Sequence, residues 1–320
     1  MLYEEITKLG RGLSHAFLAD LREEDGKLFG LLQAVQCDDA LCLEIREEYI
    51  NVYYRGGCLF KVNPGYAFAF DENYFCDGIW PFDKPKTTEE WLRVIPKLKA
   101  AMDYFLYRNP KTEREVQQMI LRDNTNSRVA NETDYFITDI EYQGQGFRFD
   151  MVAAKWLAAG HRSKGNKASL AIIEVKYADG SLAGDAGLKK HMQDVIRLLK
   201  NENGELSKLI DETNTLANQK RMLGLFPQLD ARNPHKIAIP QNCKKELIFV
   251  LVNTNPRAGK MRGGQWEEVL ADIQNDKLIH RLNELNCKLL LARASYMGYG
   301  LYAKCMKEIK PEPLFTELAN

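Results

Sequence analysis

Apolar positions change their spacing along the first third of the chain, and each change predicts a different element. Residues 2–21 carry apolar side chains at helical spacing, interrupted by two glycines near the middle. Residues 28–35 form a second apolar segment, which fits either a helix or a strand. Between residues 41 and 70, short alternating runs are separated by glycine-containing turns, a pattern typical of an antiparallel meander. This region therefore predicts a small α+β domain.

The remaining two thirds of the chain alternate between helical and strand patterns. Helical spacing predicts helices over residues 91–105, 110–121, 188–199, 201–223 and 266–285. Runs rich in β-branched, aromatic and other apolar residues predict strands over residues 135–142, 147–154, 169–177, 246–253 and 288–294. We expect an α/β protein that divides into an N-terminal domain, residues 1–105, and a larger domain, residues 106–320.

Composition narrows the class of protein. The chain has 320 residues, with 44 Lys and Arg against 44 Asp and Glu, so its formal net charge is zero. A strongly basic, non-specific nucleic-acid binder is therefore disfavoured, and any contact with nucleic acid must come from a local patch. The seven cysteines include no C-x-x-C pair, which favours reduced thiols and a cytoplasmic protein. No apolar run reaches the roughly 20 residues that a membrane helix needs, so we expect no membrane partner.

Candidate chemistry lies at the ends of two predicted strands. The second of them is apolar until Glu174 and Lys176, which share one face because a strand repeats every two residues, while Val175 points the other way. Charges are seldom placed on a buried strand without a partner or a metal. Asp150 follows an aromatic run on the preceding strand and offers a second carboxylate.

These residues resemble the catalytic motif of the PD-(D/E)XK nuclease superfamily, over roughly residues 110–295. Phe149 stands where the motif usually has a proline, and 23 residues separate Asp150 from Glu174. The order of a helix, three strands in hairpin succession, a helix and further strands also matches the superfamily. The resemblance implies a restriction-endonuclease-like core with a mixed central sheet flanked by helices. For the N-terminal domain, we expect a role in target recognition or in interaction with a partner.

The resemblance implies a metal-dependent nuclease that hydrolyses phosphodiester bonds, with DNA as the first choice of substrate and RNA as the alternative. Asp150, Glu174 and the backbone carbonyl of Val175 would bind Mg²⁺ or Mn²⁺, and Lys176 would orient or activate the attacking water. The superfamily often adds a glutamate from the preceding helix. Glu113 is the first choice for it and Glu115 the second, unless both are solvent-facing charges favoured by the helix dipole.

Further residues are candidates for phosphate or DNA contact. The segment between Asp150 and Glu174 contains no acidic residue and several basic ones, which suits a phosphate backbone, although lysines are also common at solvated hairpin tips. The candidates for phosphate or DNA contact are Arg148, Arg162, Lys164, Lys189, Lys190, His191 and Gln193. For His191, a structural role is the alternative. Asp139 and Glu141, on the first strand of the core, are expected to be solvent-exposed charges.

Two other functions stay open from the sequence. One is a non-catalytic nucleic-acid-binding or interaction protein that keeps a nuclease-like fold. The other is an unrelated α/β protein in which Glu174 and Lys176 form only a salt bridge on an edge strand. The aromatic residues of the meander fit a base-stacking platform or, as the preferred interpretation, an ordinary core. A homodimer is also compatible with the sequence.

Overall fold

The computed structural model describes residues 10–76, 78–125, 133–157, 168–178, 181–182, 187–226, 236–252, 273, 277–294 and 299–311. The predicted basic segment between Asp150 and Glu174 lies largely outside these residues, and so does the first half of the helix predicted over 266–285. The elements below are numbered in chain order.

The N-terminal region combines a four-stranded antiparallel sheet with three helices. The segment at residues 28–35, open between helix and strand, is helical. A capping box at Thr87 and Glu90 begins the long third helix. The elements are α1 His15–Arg22, α2 Phe29–Cys37, β1 Leu41–Ile45, β2 Ile50–Tyr54, β3 Gly57–Val62, β4 Phe68–Ala69, a 3-10 turn Glu72–Tyr74 and α3 Thr88–Arg108, with sheet order β1-β2-β3-β4.

The larger region is built on a six-stranded mixed sheet, which confirms the expected α/β class with helices around the sheet. Its elements are α4 Thr112–Thr125, β5 Tyr135–Gln143, β6 Arg148–Lys155, β7 Ser169–Tyr177, α5 Leu188–Lys200, α6 Glu205–Met222, β8 Lys245–Val252, α7 Lys277–Glu284, β9 Cys287–Ala294, a 3-10 turn Ala303–Cys305 and β10 Lys307–Ile309. The strand order is β10-β9-β8-β7-β6-β5. β7, β8 and β9 run parallel, and the other pairs are antiparallel.

The two faces of the six-stranded sheet are covered by different parts of the chain. Helices α5, α6 and α7 supply apolar side chains to the core on one face. Helix α4 covers the other face together with Tyr53 from the N-terminal sheet. The N-terminal core also receives Leu216 of α6 and Leu223, the residue that follows α6. The predicted boundary at residue 105 falls within α3. Side chains from both regions pack together in the same hydrophobic cores.

The turn between β2 and β3 docks against α4. Arg55 and Gly56 have φ of 48° and 73°, the left-handed pair that a tight hairpin requires. A side chain at Gly56 would come within 2.5 Å of the Arg114 backbone. The Gly56 N–H donates to Gln118 Oε1 at 2.5 Å. The hairpin thereby fixes the position of α4, the helix that carries Glu113.

The expectation that Asp139 is a solvent-exposed charge is wrong. Asp139 is 1% exposed, and both Arg11 and Arg46 of the N-terminal region pair with its carboxylate. Next to this cluster, Lys220 of α6 pairs with Glu44 of β1 at 2.7 Å, and both side chains are buried. Burying a charge is unfavourable unless it is paired, so these ion pairs hold the two regions in one arrangement.

None of the helices in the described ranges combines the length and the apolar character needed to cross a membrane.

Candidate functional site

In β5 and β6, the regular alternation of side chains between the two faces of the sheet is interrupted at the same place. Ile140 packs on the α4 side and Tyr142 on the α5 side, although residues two apart normally share a face. Glu141 lies between them with φ of 51°, a left-handed conformation that is uncommon for a residue with a side chain. By the register of the flanking pairs, Asp150 lies opposite Glu141. Nothing in the sequence pattern indicates this reversal, which places Asp150 at a local break in the sheet.

The Asp150 carboxylate is anchored on the neighbouring strand β7. The ladder between β6 and β7 runs as far as the pair Met151 and Ile173. Beyond that pair, the Val175 main-chain N–H, two residues after Ile173, donates a hydrogen bond of 2.8 Å to Asp150 Oδ2. The carboxylate is therefore held beside the main chain of the residue that separates Glu174 from Lys176.

His191 of α5 lies between the acid and the amine of β7. Glu174 is fully buried and Lys176 is 4% exposed. His191 Nε2 is 2.9 Å from Lys176 Nζ, and Nδ1 is 3.1 Å from Glu174 Oε2. Neither Glu174 oxygen is aligned for a hydrogen bond with a described residue. The sequence proposed His191 as a phosphate contact or a structural residue, and the structure places it against both charges of the motif.

The carboxyls of the site have raised pKa values. The pKa of Asp150 is raised to about 7 by burial and by the negative charge of Glu174, while the Val175 N–H and Lys176 oppose the shift. The pKa of Glu174 is raised to about 8 by burial, against the effect of Lys176. Clusters of this kind, in which desolvation and like charges hold protons on acids near neutral pH, are typical of functional sites.

The structure separates the two glutamates that the sequence offered from α4. Burial and the charge of Asp150 raise the pKa of Glu113, while Lys176 and His191 lower it. Glu113 therefore lies within electrostatic reach of the site. Glu115 instead accepts a hydrogen bond of 2.6 Å from Arg55 Nε of the N-terminal hairpin. Of the two, only Glu113 is shown to interact electrostatically with the site, whereas Glu115 takes part in the contact between the two regions.

The predicted phosphate contacts have varied surroundings. Arg148 is half exposed and pairs with Glu141 at 2.5 Å. Lys190 pairs with Asp194, one turn further along α5, at 2.8 Å. Gln193 is exposed on the same helix and Lys189 is half-buried. Arg162 and Lys164 lie outside the described residues.

The donor set of the site fits a hard divalent cation. Among the described residues, no group of three or more His, Cys, Asp and Glu side chains is placed to hold a metal ion. Asp150 and Glu174 could supply two carboxylates to such an ion. Mg²⁺ commonly binds proteins through one or two carboxylates and keeps several waters. Two buried carboxyls with raised pKa values are groups whose negative charge such an ion would neutralise. The Val175 carbonyl is the further ligand predicted from the sequence.

Two structural interpretations from the sequence do not agree with the structure: the edge-strand salt bridge and the stacking platform. β7 is an interior strand between β6 and β8, and Glu174 and Lys176 are buried. They are therefore not a surface salt bridge on an edge strand. In the N-terminal meander, Tyr53 and Tyr74 are buried and Tyr66 and Phe68 pack against the core, so its aromatic residues form a core and not an open stacking platform.

Comparisons with protein-family models, with curated protein sequences and with solved structures found no match to this chain. The chain has an α/β fold in which the Asp150 carboxylate contacts the segment Glu174–Lys176 at a break in a mixed sheet.

Proposed function

We propose that this protein is a metal-dependent nuclease of the PD-(D/E)XK type that cleaves DNA. One observation carries the proposal: the Asp150 carboxylate is bonded to the Val175 N–H, between Glu174 and Lys176. That contact joins the acid of one strand to the acid-x-lysine unit of the next, as the resemblance requires. The order of a helix, an antiparallel three-strand unit and parallel strands gives further support.

Each residue has a distinct role in the proposed reaction. Asp150, Glu174 and the Val175 carbonyl would hold Mg²⁺ or Mn²⁺, which when bound supplies Lewis acidity and lowers the pKa of a water. Lys176 Nζ donates hydrogen bonds to the attacking water or to the phosphate oxygen on which charge develops. His191 contacts Lys176 Nζ and so fixes the direction of the amine. Glu113 adds a third acidic group at the edge of the site.

The protonation of the carboxyls gives the reaction a pH dependence. Because burial and like charge raise the pKa values of Asp150 and Glu174, protons compete with the cation at neutral pH. We expect the concentration of Mg²⁺ needed for half-maximal activity to fall as the pH rises through 7 to 8.

The test is cleavage of plasmid and linear DNA with Mg²⁺ or Mn²⁺ by the full chain and by Asp150→Ala and Lys176→Ala variants. Lys288→Ala is the matched control, because Lys288 is a half-exposed lysine paired with Glu308 on the far side of the sheet. We expect cleavage by the wild type and the control only. Calorimetry with Mn²⁺ should show binding by the wild type and by Lys176→Ala but not by Asp150→Ala.

Two outcomes would overturn the proposal in different ways. A wild-type protein that neither cuts DNA nor binds a divalent ion has no hydrolytic site of this kind. A protein that binds DNA in EDTA and never cuts it, with any divalent ion, would be the non-catalytic alternative that keeps a nuclease-like fold.

A further inference from the structure

Two of the most exposed large side chains lie on one face of helix α3. Among the described residues, five large apolar or aromatic side chains are strongly exposed, and two of them are Tyr104 at 51% and Tyr107 at 85%. They are three residues apart and therefore neighbours on the helix surface. The opposite face of α3 is buried through Met102 and Leu106. The two rings thus face solvent, although the rest of the helix is anchored in the N-terminal core.

Positive charge accompanies these rings. Arg108 is exposed, and its guanidinium lies 5.8 Å from the centre of the Tyr104 ring. Lys111, just beyond the end of α3, is also exposed. Within the described ranges, neither cation forms an ion pair, whereas the nearby acids Asp103 and Glu115 are both bound by Arg55. The surface formed by Tyr104, Tyr107, Arg108 and Lys111, hereafter the tyrosine patch, therefore has a positive charge that no described neighbour neutralises.

The tyrosine patch lies close to Glu113 along the chain. Helix α3 ends at Arg108 and α4 begins at Thr112, with Glu113 in the first turn of α4. Glu113 comes six positions after Tyr107, and an extended chain of that length spans at most about 20 Å. A strand of nucleic acid whose phosphate lay at the site would therefore pass within a few nucleotides of the patch.

We infer that the tyrosine patch binds an unpaired, single-stranded segment of the DNA substrate beside the cleavage site. Exposed rings combined with nearby cations are the means by which proteins bind single strands, because every base has a face that can stack and every nucleotide carries a phosphate. Bases inside a duplex are already stacked and do not present their faces. The patch would thus favour substrates with a single-stranded flank, and this specificity rests on the proposed nuclease function.

The test measures binding of fluorescent DNA by the full chain in EDTA, where no metal-dependent cleavage occurs. A single-stranded oligonucleotide, a blunt duplex and a duplex with a single-stranded overhang are compared by fluorescence anisotropy. The variants are Tyr107→Ala, Tyr107→Phe, which retains a ring, and Arg108→Ala. Met222→Ala is the control, because Met222 is another exposed large side chain, 49% exposed, at the end of α6.

We expect Tyr107→Ala to weaken binding of the single strand and of the overhang by roughly 5- to 150-fold, the range for loss of one stacked base. Binding of the blunt duplex should hardly change, and Tyr107→Phe should bind like the wild type. Arg108→Ala should reduce the slope of log affinity against log salt by about 0.7, as expected for one lost phosphate contact on a single strand. Circular dichroism should show unchanged folding, since both side chains are exposed.

Several results would overturn this inference. One is equal weakening of single-stranded and blunt DNA by Tyr107→Ala; another is equal loss in the alanine and phenylalanine variants. A loss of similar size in Met222→Ala would also count against it. If plasmid is cut while Tyr107→Ala keeps its affinity for single strands, only the inference about the patch fails. If the wild type shows no cleavage but binding depends on the Tyr107 ring, the patch stands and the nuclease proposal fails.

Discussion

The raised pKa of Asp150 predicts that neutralising this acid stabilises the protein when no divalent ion is bound. The unfolded carboxyl has a pKa near 3.8, and the folded one about 7. An acid whose folded pKa is raised contributes stability at low pH that is lost as the pH rises through the folded pKa, because the unfolded state releases its proton first. Replacing Asp150 by Asn removes that loss and keeps an oxygen able to accept from the Val175 N–H.

The magnitude follows from the pH interval. Between pH 5 and pH 7, the folded state keeps a proton that the unfolded state has lost, and each pH unit costs about 1.4 kcal/mol. The stability of the wild type relative to Asp150→Asn should therefore fall by about 3 kcal/mol between pH 5 and pH 8. For a chain of this length, that corresponds to about 4 °C in Tm.

The measurement is thermal unfolding in EDTA at pH 5 and pH 8, with Asp25→Asn as control because it removes one exposed carboxyl. The quantity of interest is the difference in Tm between variant and wild type at each pH. We expect this difference to be larger at pH 8 by about 4 °C for Asp150→Asn and unchanged for the control. An equal difference at both pH values would refute the argument that Asp150 is held protonated by burial and by its neighbouring acid.

Three further results should follow. At pH 8, saturating Mg²⁺ should stabilise the wild type by about 3 kcal/mol at 100 times Kd, and Glu174→Gln should show no such gain in a thermal shift assay. Glu113→Gln should slow DNA cleavage, whereas Glu115→Gln should leave cleavage intact and lower Tm; the reverse order would assign the wrong glutamate to the site. Asp139→Ala leaves the buried Arg46 and the half-buried Arg11 without their acid and should cost about 3–5 kcal/mol in urea unfolding; a loss below about 1 kcal/mol, typical of a surface pair, would show that the cluster is solvated.

Local patterns in the sequence were sufficient to predict most of the architecture. Strand β7 has the bounds that were predicted, because apolar residues dominate it and a turn sequence, Ala178-Asp179-Gly180-Ser181, follows it. The same period-two rule indicated that Glu174 and Lys176 share a face. That rule fails at Glu141, because the positive φ of that residue reverses the strand faces and leaves no mark on the pattern of apolar residues.

The sequence patterns did not predict contacts between residues that are far apart along the chain. Asp139 looked like an exposed charge on an edge strand, and β5 is indeed at the edge of the sheet. Its partners, Arg11 and Arg46, come from a different region, 128 and 93 residues away. Periodicity reports only on neighbours along the chain, so it cannot show that two distant arginines cover an edge. The role of His191 between Glu174 and Lys176 was missed for the same reason.

The buried ion pairs connect the N-terminal region to the chemistry of the candidate site. Asp139 is two residues from Glu141, whose left-handed conformation accompanies the break at which Asp150 leaves the ladder. Pairing with the two N-terminal arginines therefore fixes the strand segment on which that break depends. On the face of the six-stranded sheet that α4 covers, the β2–β3 hairpin contacts α4 and so fixes the position of Glu113. Since both supports come from residues before 105, the N-terminal region contributes to the shape of the site, whatever else it binds.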